Sequence, residues 1–266
     1  MSKVSNAQAE LREMDELSAR TSPIHRLHPL TKLLVTLAYL FTVVSYPKYS
    51  FSALFVMVLY PVLTFQLSGI PVRLCFHKLR VMLALVCAVG IFNPFFDRTP
   101  MLVVGGLTVT GGVISMATLV LKGVFALMAS FLLIAATPID RLCAALRQLH
   151  VPGILVTLLL LTYRYVSLML RQVSIMTDAY ALRAPGQKGV HISAWGSFLG
   201  QLLLRSIDRG SELYQSMELR GFCGEFHYAD GAGYGAGDLA YTLCWTALFL
   251  AARLVNLPRL LGNLFV

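Results

Sequence analysis

The sequence predicts an all-α polytopic membrane protein with about five transmembrane helices and long cytoplasmic helices, and three observations carry that prediction. Hydrophobic residues make up 57% of the 266 residues and charged residues 13%, with a mean hydropathy of +0.70; soluble domains carry ~25% charged residues. The apolar residues gather in five runs near the ~20 residues that cross ~30 Å of hydrocarbon. Between the fourth and fifth runs lies a long segment of helical pattern, rich in Leu, Ile, Val and Met but interrupted by charge. The net charge of +9 would suggest nucleic acid in a soluble chain. Here the basic residues sit between apolar runs and mark loops, so no nucleic-acid partner is expected and the partner is a lipid bilayer.

The elements follow in order. Residues 1–32 are polar and of mixed charge, and the first apolar run, Leu30 to Tyr46, starts too late and runs too long for a cleavable signal peptide. It is read as an anchor that stays. Pro47-Lys48-Tyr49-Ser50 breaks it from the second run, Phe51 to Leu67, with room for a tight hairpin. The third run, Leu79 to Phe92, is short. Asn93-Pro94 then opens a loop in which Gly105-Gly106 and Gly111-Gly112 flank β-formers and permit a small hairpin over Val103 to Thr110. The fourth run is Gly112 to Ala136 and the fifth Leu239 to Val255. Lys122 falls within the fourth, where a charge is costly and needs a partner; a structural contact is favoured over a substrate role.

Loop charge sets orientation. The N-terminal segment has five basic residues (Lys3, Arg12, Arg20, Arg26, Lys32) and the loop after the second run three (Arg73, Lys78, Arg80), whereas the alternate loops have Lys48 and Arg98. The positive-inside rule places the N-terminus and the residues from Pro138 to Asp238 in the cytoplasm, with Arg253 and Arg259 as the exceptions. Residues 1–136 then form the N-terminal segment with four spans, 137–237 the cytoplasmic helical region, and 238–266 the last span and C-terminus.

Within the cytoplasmic region, Ile139 to Leu149 reads as a short amphipathic helix stopped by Val151-Pro152-Gly153. A second helix runs from Ile154 to about Arg183, apolar at Leu158 to Leu161 and polar later, and Ala184-Pro185-Gly186 ends it. A third, Ser193 to Arg220, repeats that design and stops at Gly221. A Gly-rich stretch, Gly231 to Gly237, links into the last span. Both long helices finish on Leu-Arg-small: Leu182-Arg183-Ala184 and Leu219-Arg220-Gly221. One such Arg complements a helix dipole. Two on paired helices suit a docking device, because guanidinium is a planar five-donor fork for carboxylates or helix ends on another protein.

Catalytic, cofactor and metal residues are not indicated. The five cysteines are scattered without a Cys-x-x-Cys pair, and the six histidines lack ligand spacing; Cys223 with His227 is a weak pair. No phosphate-binding loop, Gly-x-Ser-x-Gly elbow or His-Glu-x-x-His occurs, so the chain is read as no enzyme and any ATP hydrolysis must come from a partner. Gly196 and Gly200 allow a close helix crossing.

Three stretches carry a family resemblance: Ser22-Pro-Ile-His-Arg-Leu-His-Pro-Leu-Thr-Lys32, Thr162-Tyr-Arg-Tyr165 and Met217-Glu-Leu-Arg-Gly-Phe222. Over nearly the whole chain it resembles the transmembrane T components of energy-coupling factor (ECF) transporters, most closely the cobalt-type CbiQ branch. The resemblance implies a multi-pass cell-membrane subunit whose two Arg-centred motifs, matched here by Arg183 and Arg220, dock on two ATP-binding cassette ATPase subunits. Leu182 and Leu219 stand where the family usually has Ala, and Ala184 where Gly or Ser is frequent. It also implies a substrate-capture (S) membrane subunit, with a small accessory membrane subunit as a further candidate. ATP and Mg are then held by the ATPase subunits, with no cofactor in this chain. Cobalt(II) uptake for cobalamin biosynthesis is the expected activity; nickel, a vitamin, or a self-sufficient secondary transporter are the alternatives.

Overall fold

In the computed structural model of the chain, residues 3–48, 54–96, 100–104, 107–187, 189–224 and 234–254 are described. Phe51, Arg98, Gly105, Gly106, Lys188, His227, the glycines at 231 and 233, Val255 and Arg259 lie outside them. The chain divides into two compact units: residues 17–138 with 232–266, and residues 1–16 with 139–231.

The first unit is a helix bundle. Its described helices are α2 (Pro23–Arg26), α3 (Pro29–Ser45), α4 (Leu59–Ser68), α5 (Val72–Phe96), α6 (Gly111–Ala135) and α10 (Ala236–Leu254). Pro23 and Pro29 sit at the first helical turns of α2 and α3, where a missing N–H costs nothing. The His28 Nδ1 accepts from Leu30 N–H to cap α3. Tyr39, Val43, Tyr46, Met57, Tyr60, Phe125 and Phe249 form the core where α3, α6 and α10 meet.

Three expected boundaries move. The second run opens on a 3-10 turn, Phe55–Val58, that continues directly into the 10-residue α4, about 15 Å long. The buried Tyr39 hydroxyl donates to Met57 O at 3.0 Å, supplying a partner to a carbonyl of that turn. The third run starts seven residues early, at Val72, because Arg73, Leu74, Lys78, Leu79 and Arg80 are good helix formers, and it passes Pro94 to end at Phe96. A proline in the last turn removes one hydrogen bond without stopping the helix. Between α5 and α6 an antiparallel hairpin pairs Pro100–Val104 with Leu107–Thr110, with Val104 opposite Leu107. α5 and α6 pack backbone-close at two glycines. A Cβ on Gly123 would lie 2.5 Å from Val86 Cγ1, and one on Gly90 3.2 Å from Val120 Cγ2.

The second unit holds α1 (Lys3–Ser18, to residue 16), α7 (Ile139–Gln148), α8 (Gly153–Arg183) and α9 (Trp195–Glu218). Cys143, Val156 and Leu160 are buried between α7 and α8, with Ile139, Leu146 and Val151 around them. α7 ends in a paired turn, Val151 N–H to Leu146 O and His150 N–H to Arg147 O, with His150 at φ 61° where glycine is usual. No residue of α9 is buried, and Leu199, Leu203, Leu204, Ile207 and Tyr214 are all exposed.

By length and composition three described helices are able to cross a membrane: Val72–Pro94, Gly111–Ala135 and Gly153–Arg183, beside the shorter apolar Pro29–Ser45 and Phe55–Ser68. The chain is an all-α membrane protein. α8 matches the expected helix from Ile154 to about Arg183, and by length and composition alone it also meets the measure of a span. Its Leu-rich start, to Leu161, raises the hydropathy of a helix whose remainder carries Arg164, Arg171 and Asp178.

Candidate functional site

The two Arg-centred ends are built by different turns. α8 closes with Ala184 N–H donating to Tyr180 O at 3.0 Å. Ala184-Pro185-Gly186-Gln187 then form a type II turn: Gln187 N–H returns to Ala184 O, Pro185 presets φ, and Gly186 takes φ 94°. The Tyr180 hydroxyl donates to Gln187 Oε1 at 3.0 Å and fastens the turn to the last turn of the helix. α9 ends in a Schellman motif, with Phe222 N–H on Met217 O, Gly221 N–H on Glu218 O, and Gly221 at φ 80°. Each Arg thus sits immediately before a chain reversal that requires a left-handed glycine.

What those turns present is bare. Leu182 is 85% and Leu219 90% exposed, Arg183, Arg220 and Gly221 are exposed, and Ala184 is half-buried. Neither guanidinium has a hydrogen bond or ion pair among the described residues. A leucine beside a five-donor cation on a helix end offers an apolar contact and a charged fork, and among the described residues no side chain pairs with the fork.

The Thr162-Tyr-Arg-Tyr165 stretch serves the base of α8. Tyr163 donates to Asp15 of α1, and Arg164 reaches Asp140 of α7 at 3.4 Å. Both members of the latter pair are more than half exposed, so it adds little stability.

In the bundle, Ser22 to Lys32 is a folding element. Ser22 Oγ and His25 Nδ1 share a hydrogen bond of 2.6 Å and the opposite nitrogen donates to Leu17 O at 3.1 Å, so in the neutral imidazole the proton sits on Nε2 and the serine hydroxyl donates. Burial, helped by the nearby Lys32 charge, holds the His25 pKa below its usual value. Lys32, itself buried, donates to Ala136 O at 2.8 Å. Asp238, invisible as a site residue in the sequence, accepts from Gly235 N–H at the start of α10 and from His28 N–H at the start of α3.

Lys122 donates to Val44 O at 3.1 Å and to Tyr46 O, at the C-terminal end of α3. Arg253 donates to Ser45 O at 3.1 Å, with its guanidinium 5.1 Å from the Tyr46 ring centroid. Three successive carbonyls at a negative helix end therefore take cationic donors from two other helices. A side chain at Gly196 or Gly200 would meet nothing within 4 Å, so that pair makes no helix crossing among the described residues. Among the described residues no three His, Cys, Asp or Glu side chains gather to hold a metal.

Comparison with known proteins adds three findings. The family model CbiQ, described as cobalt transport protein, matches residues 20–228. The nickel permease LarQ of Lactiplantibacillus plantarum is 32% identical over 97 residues, covering 36% of this chain and 35% of that protein. An uncharacterised protein of Methanocaldococcus jannaschii is 26% identical over 151 residues, 56% of this chain and 51% of its own length. The aligned parts span about a third and about half of those relatives.

Proposed function

The chain belongs to the CbiQ family of cobalt transport proteins, and we propose that it is the energy-coupling T subunit of an ATP-driven ECF-type importer. The observation that carries this reading is the pair of exposed Arg ends, each locked by a left-handed glycine and each without a partner among the described residues. In this reading Leu182-Arg183-Ala184 and Leu219-Arg220-Gly221 each enter a groove on one of two ATP-binding cassette subunits in the cytoplasm. α8 and α9 are the levers. When ATP, with Mg held by those subunits, closes the ATPase pair, the two ends move relative to each other. The motion is passed to a membrane-embedded subunit that captures the cargo. Helices with 31 and 24 residues transmit it well because their hydrogen bonding is internal and continuous.

The chain performs no chemistry of its own in this scheme: the phosphate-binding loop that ATP hydrolysis requires is absent from its sequence. Cobalt(II) is the proposed cargo, in line with the family's description. Nickel(II) is the second reading, favoured by the relative named a nickel permease. The test is co-expression of the tagged chain with ATP-binding cassette ATPase and membrane capture subunits from the same organism, followed by isolation and metal uptake. The expected result is a complex with two ATPase copies that accumulates cobalt(II) on ATP; a chain that retains no ATPase subunit would end the proposal.

A further inference from the structure

The outward face of α5 changes chemistry along its length. In its first turns Arg73, Phe76, His77 and Arg80 are exposed and fall within about 100° of the helix circumference at 3.6 residues per turn, away from the fully buried Cys75. Farther along, the same side carries Val81, Ala84, Ala88 and Ile91, all exposed and all apolar. Val72 to Phe96 contains no Asp or Glu. None of Arg73, His77 and Arg80 has a hydrogen bond or ion pair among the described residues.

Length sets the depth of this face. The 25 residues of α5 span about 37 Å at 1.5 Å each, against ~30 Å of hydrocarbon. The part beyond Arg80, from Val81 onward, covers about 24 Å of that and fills most of the acyl region. The basic turns are left at headgroup depth, where Arg80 reaches outward along its own stem. The positive end of the helix dipole points the same way.

We propose that Arg73, His77 and Arg80 bind the headgroup of an anionic phospholipid, with Phe76 at the boundary between headgroup and acyl chain. A lipid matches the whole face: its phosphate meets the basic turns, and its tails run along Val81, Ala84, Ala88 and Ile91. A soluble acidic protein would satisfy the charge but not the apolar continuation. Anionic lipids are concentrated in the cytoplasmic leaflet, the side on which the basic loop after the second run is expected.

The test uses the purified full chain in detergent micelles doped with equal phosphatidylglycerol and phosphatidylcholine, with retained lipid read by native mass spectrometry. Wild type should keep phosphatidylglycerol in preference. Arg73→Gln with Arg80→Gln should weaken that binding roughly 25-fold, about fivefold per charge, while Arg73→Lys with Arg80→Lys keeps most of it. Raising salt on the wild-type chain should erase the preference with no substitution at all, so a double variant that misfolds leaves the test intact. Inorganic phosphate at the lipid's concentration should not displace it. Equal retention of phosphatidylcholine, a Gln pair that binds like wild type, a preference unchanged by salt, or displacement by phosphate would each overturn the proposal; the first is also the outcome expected if this face instead meets a membrane protein.

Discussion

Replacing Arg183 and Arg220 by Ala separates docking from helix capping, because the two roles differ in size and in where the loss is seen. Both side chains are exposed and neither has a partner among the described residues. In the isolated chain truncation therefore removes at most the dipole contribution, about 1 kcal/mol, and the thermal midpoint should barely move. In a groove of an ATPase subunit each guanidinium is desolvated against acceptors, and truncation costs about 2–5 kcal/mol, or roughly 30-fold to several thousand-fold in affinity. Leu182 and Leu219 add a second measure: as exposed side chains they contribute nothing internally, but burial of each in a partner is worth about 1.5–3 kcal/mol. The assay is co-purification with the ATPase subunits, cobalt(II) uptake, and a melt of the chain alone, for both single variants, the double variant, and Lys at each position. The double Ala variant should insert at normal abundance, melt normally, lose its ATPase subunits and take up nothing. Lys should rescue in part, since it keeps charge without the planar fork. A double Ala variant with wild-type uptake refutes the reasoning outright.

Four further outcomes follow from the packing. Gly123→Ala should destabilise the bundle by about 1–3 kcal/mol, and Val86→Ala in the same chain should recover much of it, because the added Cβ would sit 2.5 Å from Val86 Cγ1. Asp238→Ala should cost about 1–3 kcal/mol in a denaturation series by orphaning His28 N–H and Gly235 N–H, and Asn should cost less. His150→Gly should raise the melting temperature of the chain, gaining about 1 kcal/mol by relieving a left-handed residue at φ 61°. The His25 pKa is lowered in the fold, so the unfolded chain binds more protons; stability is complete above the ordinary value of 6.5 and falls as pH drops below it, and His25→Gln should flatten that slope.

Much of the bundle was legible because apolar runs bounded by breakers announce themselves. Pro29 and Tyr46-Pro47 bracket α3, and Gly111-Gly112 opens α6, within a residue or two of the expected limits. The start of α5 was not, since Arg73, His77, Lys78 and Arg80 read as loop when only hydropathy is counted, although charge at headgroup depth is compatible with helix. α8 was legible in its limits, Ile154 to about Arg183 expected and Gly153–Arg183 found, although its early leucines also satisfy the arithmetic of a span. The two Arg ends were readable because Gly186 and Gly221 follow them and glycine alone tolerates those φ values cheaply. Asp238 could not be read, because its partner His28 is 210 positions away and no periodicity encodes such a pairing.

The same long-range pairing bears on the charge count used for orientation. In the topology expected from loop charge Arg253 falls on the side where basic residues are disfavoured, and Lys122 falls within a candidate span. Neither behaves as a loop charge. Together they cover the carbonyls of Val44, Ser45 and Tyr46, three groups that a helix end leaves unbonded and that lipid cannot satisfy. Tyr46 closes the arrangement by donating from its hydroxyl to Ala252 O at 3.1 Å, one residue from Arg253. A cation fixed on a carbonyl cluster has an assigned place in the folded bundle, so its sign is set by the end of α3 rather than by the side of the membrane on which it falls. Removing Arg253 from the count leaves Arg259 as the exception to the expected orientation.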